Sequence, residues 1–182
     1  MWILIIKSFY LVLPAYLANM APVVFAKLGL LKFANQPIDG SRKIKGEYIF
    51  GLGKTWRGII AAVILGVVVT SVQTGLYQYE MFRNISLFNY EKYYLWFGIL
   101  AGLGAILGDL VKSFIKRRVG IKSGKSWPIF DQLDFIVGFF IFTYFIARPS
   151  VLVIIAVMVL TLILHPLINI MAYWLKIKKV WW

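Results

Sequence analysis

Cysteine is absent from this 182-residue chain, and histidine occurs once. Disulfides, thiolate zinc sites and thiol nucleophiles are therefore excluded, which leaves oxygen ligands and nitrogen cations as the available chemistry. Acids are scarce as well: seven Asp and Glu stand against twenty Lys and Arg, a formal net charge of +13. The cations cluster beside apolar segments, so anionic lipid headgroups or polyphosphate substrates fit them better than nucleic acid.

Apolar surface is what the chain has in excess. Hydrophobic residues make up 61% and aromatics 17%, with a mean hydropathy of +0.81, more than one soluble core could hide. A bilayer core of about 30 Å takes roughly 20 apolar residues per helix. Five stretches approach that length: Ile3–Phe25, Ile59–Leu76, Leu95–Phe114, Leu133–Ala147 and Val151–Trp174. The expected fold is an all-α integral membrane protein of about five transmembrane helices, a single polytopic domain over residues 1–182. The first stretch carries Lys7 and lacks a convincing cleavage site, so it reads as a mature helix rather than a signal peptide.

Sixteen of the twenty Lys and Arg fall in three places on one side of this model: Lys27 to Arg57, Lys112 to Lys125, and Lys176 to Lys179. The positive-inside bias makes that side cytoplasmic. The amino terminus and the Tyr77–Tyr94 loop then lie outside and the carboxyl terminus inside, with basic cytoplasmic loops at about 28–57 and 115–131. Tyr93, Tyr94, Trp96, Tyr173, Trp174, Trp181 and Trp182 read as interfacial anchors. Gly98, Gly102, Gly104 and Gly108 form two GxxxG pairs on the third span, a pattern for close helix packing.

Between the third and fourth spans, six cations and three acids crowd from Asp109 to Asp134. Charge beside lipid is costly, so a functional site is the default reading. On a helix Asp109, Lys112, Ser113 and Lys116 share one stripe. A structural pair with Lys112 would satisfy Asp109, and Lys116, Arg117 and Arg118 could simply meet lipid phosphates. Asp131 and Asp134, spaced i, i+3, repel each other unless a cation or proton lies between them. Salt bridges and a divalent metal both answer that need. Mg²⁺ is the simpler resident, a hard ion suited to Asp109, Asp131 and Asp134 with no His or Cys near. The fourth span offers only about 22 Å of helix, which recesses these acids toward headgroup depth.

Residues 32–57 are too polar and too broken by glycine and proline to span. They read as a flexible cytoplasmic loop. Gly53-Lys54-Thr55 is no P-loop, because Tyr48 stands where the first glycine belongs. Lys54, Thr55 and Arg57 beside exposed backbone N–H groups make either an anion cradle or a plain positive flank. Pro166 is expected to kink the last span, where His165 and Asn169 either satisfy freed carbonyls or contact substrate.

Ser113-x-x-Lys116-Arg117, four residues, Lys122, then Pro128 and Asp131-x-x-Asp134 resemble the signature of the membrane cytidylyltransferases that make CDP-activated lipids. The archaeal branch, the CDP-archaeol synthases, is most similar. That likeness extends to Pro37-Ile38-Asp39-Gly40, Gly53-Lys54-Thr55-Trp56-Arg57-Gly58 and His165-Pro166-x-x-Asn169. The chain departs from the bacterial pattern in Ser123 after the lysine, in Gln132 for arginine and in a missing HGG. These departures bear on the lipid, not on the reaction. The resemblance implies a multi-pass cell-membrane enzyme whose active site faces the cytoplasm. It would transfer the cytidylyl group of CTP to a phosphorylated isoprenoid (geranylgeranyl) glycerol ether lipid, releasing pyrophosphate with Mg²⁺ as cofactor. It implies catalytic roles for Lys116, Arg117, Lys122, Asp131 and Asp134 and metal ligation by Asp109, Asp131 and Asp134. Substrate contacts would fall to Lys54, Thr55, Arg57, Ser113, Lys125, His165 and Asn169. The alternatives are a phosphatidate cytidylyltransferase for ester lipids and a non-enzymatic anion carrier; five unequal spans without internal duplication speak against the carrier.

Overall fold

In the computed structural model, residues 1–177 and 180 are described. Lys178 and Lys179 of the last basic cluster, and the Trp181 and Trp182 anchors, lie outside the described residues. The helices are α1 (Trp2–Lys27), α2 (Trp56–Tyr77), α3 (Glu80–Ile85), α4 (Tyr90–Arg118), α5 (Phe130–Ala147) and α6 (Val151–Trp174). Among the described residues, five of them, all but α3, are long and apolar enough to cross a membrane. The architecture is all-α and multi-pass, as the apolar runs imply.

Polar side chains at the helix starts set the boundaries. Thr55, Asn89 and Ser150 accept backbone N–H bonds from Gly58, Lys92 and Val153, satisfying donors that have no partner within the helix. At its other end α4 stops in a left-handed turn: Gly120 has φ +79°, and Ile121 and Gly120 donate to the carbonyls of Lys116 and Arg117. The chain thereby turns back across the end of the bundle instead of running on into solvent.

α4 is the axis of the bundle, and its two GxxxG pairs serve two neighbours. A Cβ on Gly102 would sit 2.5 Å from the Ala62 carbonyl of α2, and one on Gly104 would sit 2.6 Å from the Gly138 carbonyl of α5. Gly108 lies directly against the Asp134 carbonyl. Only glycine permits such backbone approach. Toward the start of α4, Tyr90 and Phe97 are fully buried, with the Phe88 ring tilted against both at 4.2 and 4.4 Å and Phe97 edge-on to Phe139 of α5 at 5.9 Å. Tyr16 of α1 donates to Thr161 of α6 at 2.8 Å, tying the first and last spans.

The loop expected to be flexible is folded, and this corrects the sequence expectation. It contains a short hairpin, β1 (Lys43–Ile44) and β2 (Glu47–Tyr48). The Asp39 carboxylate accepts from Ser41 and Phe50 N–H, both at 3.0 Å. Arg118 of α4 donates to the Ile44 and Tyr48 carbonyls at 3.1 and 2.8 Å. Those long-range bonds pin the loop to the end of α4, where local composition signals only turns. Arg118 is therefore spent on the hairpin.

Candidate active site

The end of α1, the start of α2, the end of α4, the start of α5 and the end of α6 meet at one end of the bundle. Two cavities open there. The first, of 280 Å³, is bordered by Asn19, Lys54, Asp109, Lys112, Asp131, Asp134 and Asn169. The second, of 320 Å³, is bordered by Gly51, Lys54, Lys112, Ser113, Lys116, Arg117 and Lys125. Lys54 and Lys112 stand on the boundary between them.

The three acids converge on an ammonium. Lys112 Nζ lies 3.2 Å from Asp109, 2.7 Å from Asp131 and 2.8 Å from Asp134. Lys54 pairs with Asp109 on its other oxygen. Lys116 lies 3.0 Å from both Asp131 oxygens and donates to the Lys125 carbonyl at 2.6 Å. The Trp127 N–H also donates to Asp131, at 2.6 Å. Carboxylates this close would repel one another in the low dielectric of a bundle end, so each has acquired a cation. The separation of α4 from α5, set by Gly108, brings Asp134 to Lys112.

The carboxylates expected to share a metal thus gather around a lysine. Among the described residues no three acids or histidines are spaced as a ready metal shell. The donor chemistry nevertheless fits Mg²⁺: three carboxylates, all hard oxygen ligands, approach a single cation from two helices.

Arg117 is the outlying charge of the cluster. It is 7% exposed, and its Nε and Nη1 are buried without a hydrogen-bond partner. A buried, unanswered guanidinium on a cavity wall is costly unless an anion occupies that cavity. Ser113 is buried beside it.

The other expected residues divide. His165 and Asn169 are 3.4 Å apart and border a 240 Å³ cavity with Asp131 and Gln132, so they reach the edge of the site. Thr55 caps α2. Lys122 is exposed on the loop after α4, and neither it nor Arg57 borders the 280 or the 320 Å³ cavity. Lys112 is what sequence reasoning passed over, as a mere partner for Asp109. Its place on the Asp109 stripe was visible; its reach to α5 was not.

The family model described as CarS-like, CDP-archaeol synthase, matches residues 1–182. The chain belongs to the CDP-archaeol synthase family. Relatives of that name include one from Methanocaldococcus jannaschii, 36% identical over 98% of both chains. Another, from Methanoregula boonei, is 38% identical over 93% of this chain and 99% of its own. A solved chain described as an intramembrane enzyme for archaeal membrane lipid biosynthesis superposes with a TM-score of 0.72 at 29% identity. It covers 89% of this chain and 92% of its own length. For a CDP-archaeol synthase family member, a carboxylate cluster beside a basic cavity at one bundle end is the arrangement whose chemistry has to be explained.

Proposed function

We propose that this protein transfers the cytidylyl group of CTP to a phosphorylated isoprenoid glycerol ether lipid, giving the CDP-activated lipid and pyrophosphate. The observation that carries the proposal is the placement of Arg117, buried with two unanswered nitrogens, in a cavity that shares Lys54 and Lys112 with the one bordered by the carboxylates of α4 and α5. Cations on one wall and acids on the other suit a nucleotide triphosphate with its divalent ion.

The attacking group is a lipid phosphate oxygen, already largely dianionic at neutral pH because its second pKa is about 6. No protein base is required. Catalysis reduces to positioning two anions and neutralising their charge. Arg117, Lys116 and Lys125 face the leaving phosphates, Lys54 bridges the two cavities, and Ser113 donates to a phosphate oxygen. Asp109, Asp131 and Asp134 would hold Mg²⁺, which when bound supplies positive charge to the triphosphate.

The lipid's chains have a place to lie. An apolar groove of 440 Å³ runs between α4 and α5, walled by Val111, Ile115, Phe130, Leu133 and Ile141, and Lys112 and Asp134 also border it. A headgroup phosphate beside those two residues reaches the cluster while its tail stays among apolar side chains. The positive-inside distribution of Lys and Arg supports a cytoplasmic position for this end, where CTP is available.

Purified protein given CTP, Mg²⁺ and the phosphorylated ether lipid is expected to release pyrophosphate. Absence of release across both ether and ester lipid phosphates refutes the proposal, and release with ester lipids alone moves the substrate to phosphatidate.

A further inference from the structure

Lys112 stands where a metal would. Its side chain is 13% exposed and its ammonium is within 3.2 Å of one oxygen from each of three aspartates. Without a metal it supplies the neutralisation that keeps those carboxylates together. With Lys112 in place, a divalent ion approaching alone finds the focus of the acids filled and meets a like charge there.

A triphosphate changes that balance. Lys112 also borders the basic cavity, so phosphate oxygens bound near Arg117 offer its ammonium a second anionic partner on a flexible four-carbon stem. We infer that Lys112 is a resident counter-ion that holds the acid cluster assembled in the nucleotide-free protein and yields to a divalent cation only when a polyphosphate receives its ammonium. Metal and nucleotide then load as a pair, and metal alone is excluded. The inference rests on Asp109, Asp131 and Asp134 being the metal-holding residues; it adds a positioning role for Lys112 that sets the order of loading.

The test is metal binding without turnover. Full-length protein in detergent is titrated with Mn²⁺ alone, followed by electron paramagnetic resonance, and its melting temperature is recorded in chelator and in Mg²⁺. Wild type is expected to bind Mn²⁺ weakly and to gain little stability from Mg²⁺. Lys112→Met is expected to melt earlier in chelator, to recover in Mg²⁺, and to bind Mn²⁺ at least about tenfold more tightly, since the competing charge is gone. In wild type, the non-transferable α,β-methylene analogue of CTP is expected to tighten Mn²⁺ binding by a similar factor.

Wild-type protein that binds Mn²⁺ as tightly without the analogue as with it overturns the inference, as does a Lys112→Met variant with no gain in Mn²⁺ affinity. If that variant cannot be recovered folded, the wild-type comparison decides alone. Pyrophosphate release is followed on the same preparation. Turnover together with tight binding of free Mn²⁺ removes only the role of Lys112, whereas absent turnover removes the cytidylyltransferase reading.

Discussion

Replacing Gly108 with alanine should separate the two halves of the site without touching a charged group. The added methyl would lie 2.9 Å from the Asp134 carbonyl carbon and 3.3 Å from Gly138 Cα. Ordinary carbon contacts begin near 3.5–4.0 Å, so α5 must retreat from α4 by about 1 Å. Overpacking of that kind costs about 1–3 kcal/mol. The same retreat lengthens the 2.8 Å pair between Lys112 and Asp134 beyond hydrogen-bonding range and displaces the whole α5 contribution. A misplacement of about 1 Å in a site that works by positioning lowers the rate by about 100-fold. Pyrophosphate release at saturating CTP and the melting temperature report the two effects. Gly75→Ala is the control, because a Cβ there meets nothing within 4 Å; alanine at that helical position should leave turnover unchanged and, if anything, stabilise by about 1 kcal/mol. Wild-type turnover in Gly108→Ala would refute the claim that this helix contact sets the geometry of the acids.

Two more substitutions probe the cations. Arg117→Gln should raise KM for CTP by roughly 10- to 100-fold, the worth of a charge-assisted hydrogen bond of about 1.5–3 kcal/mol, with Arg117→Lys only partly restoring it because the planar fork is lost. An unchanged KM in steady-state assays would remove Arg117 from the phosphate site. Arg118→Ala should free the hairpin from α4: tryptic cleavage at Lys43 and Lys45 should accelerate, and KM for CTP should rise about fivefold as the Lys54 loop loosens, while the melting temperature of the bundle stays put. Equal cleavage rates would show that the hairpin is held by something else.

The spans were legible because each is an apolar run longer than chance allows, and their ends shifted by only a few residues once Thr55, Asn89 and Ser150 took up their capping bonds. The six-residue α3 was not, being too short to show a helical period. Nor was the hairpin, whose strands have two residues each and owe their place to Asp39 and to Arg118, the latter some seventy positions away. In the site, the Asp109–Lys116 stripe and the Asp131–Asp134 pair were readable from spacing. How close the two come was not, since that depends on backbone contact at Gly108. Charge alone could not separate Arg117, which is buried at a cavity, from Lys122, which is exposed on a loop.

The plug of Tyr90, Phe88, Phe97 and Phe139 at the opposite end of the bundle matters to the cell as much as to the catalyst. A hydrophilic chamber sunk into a bilayer is half of an ion leak. Tyr90, Phe97 and Phe139, fully buried, and Phe88, partly so, close the bundle at that end and make the chamber a blind well. Nucleotide must come and pyrophosphate must go through the same mouth, and the membrane's ion gradients survive the presence of the enzyme.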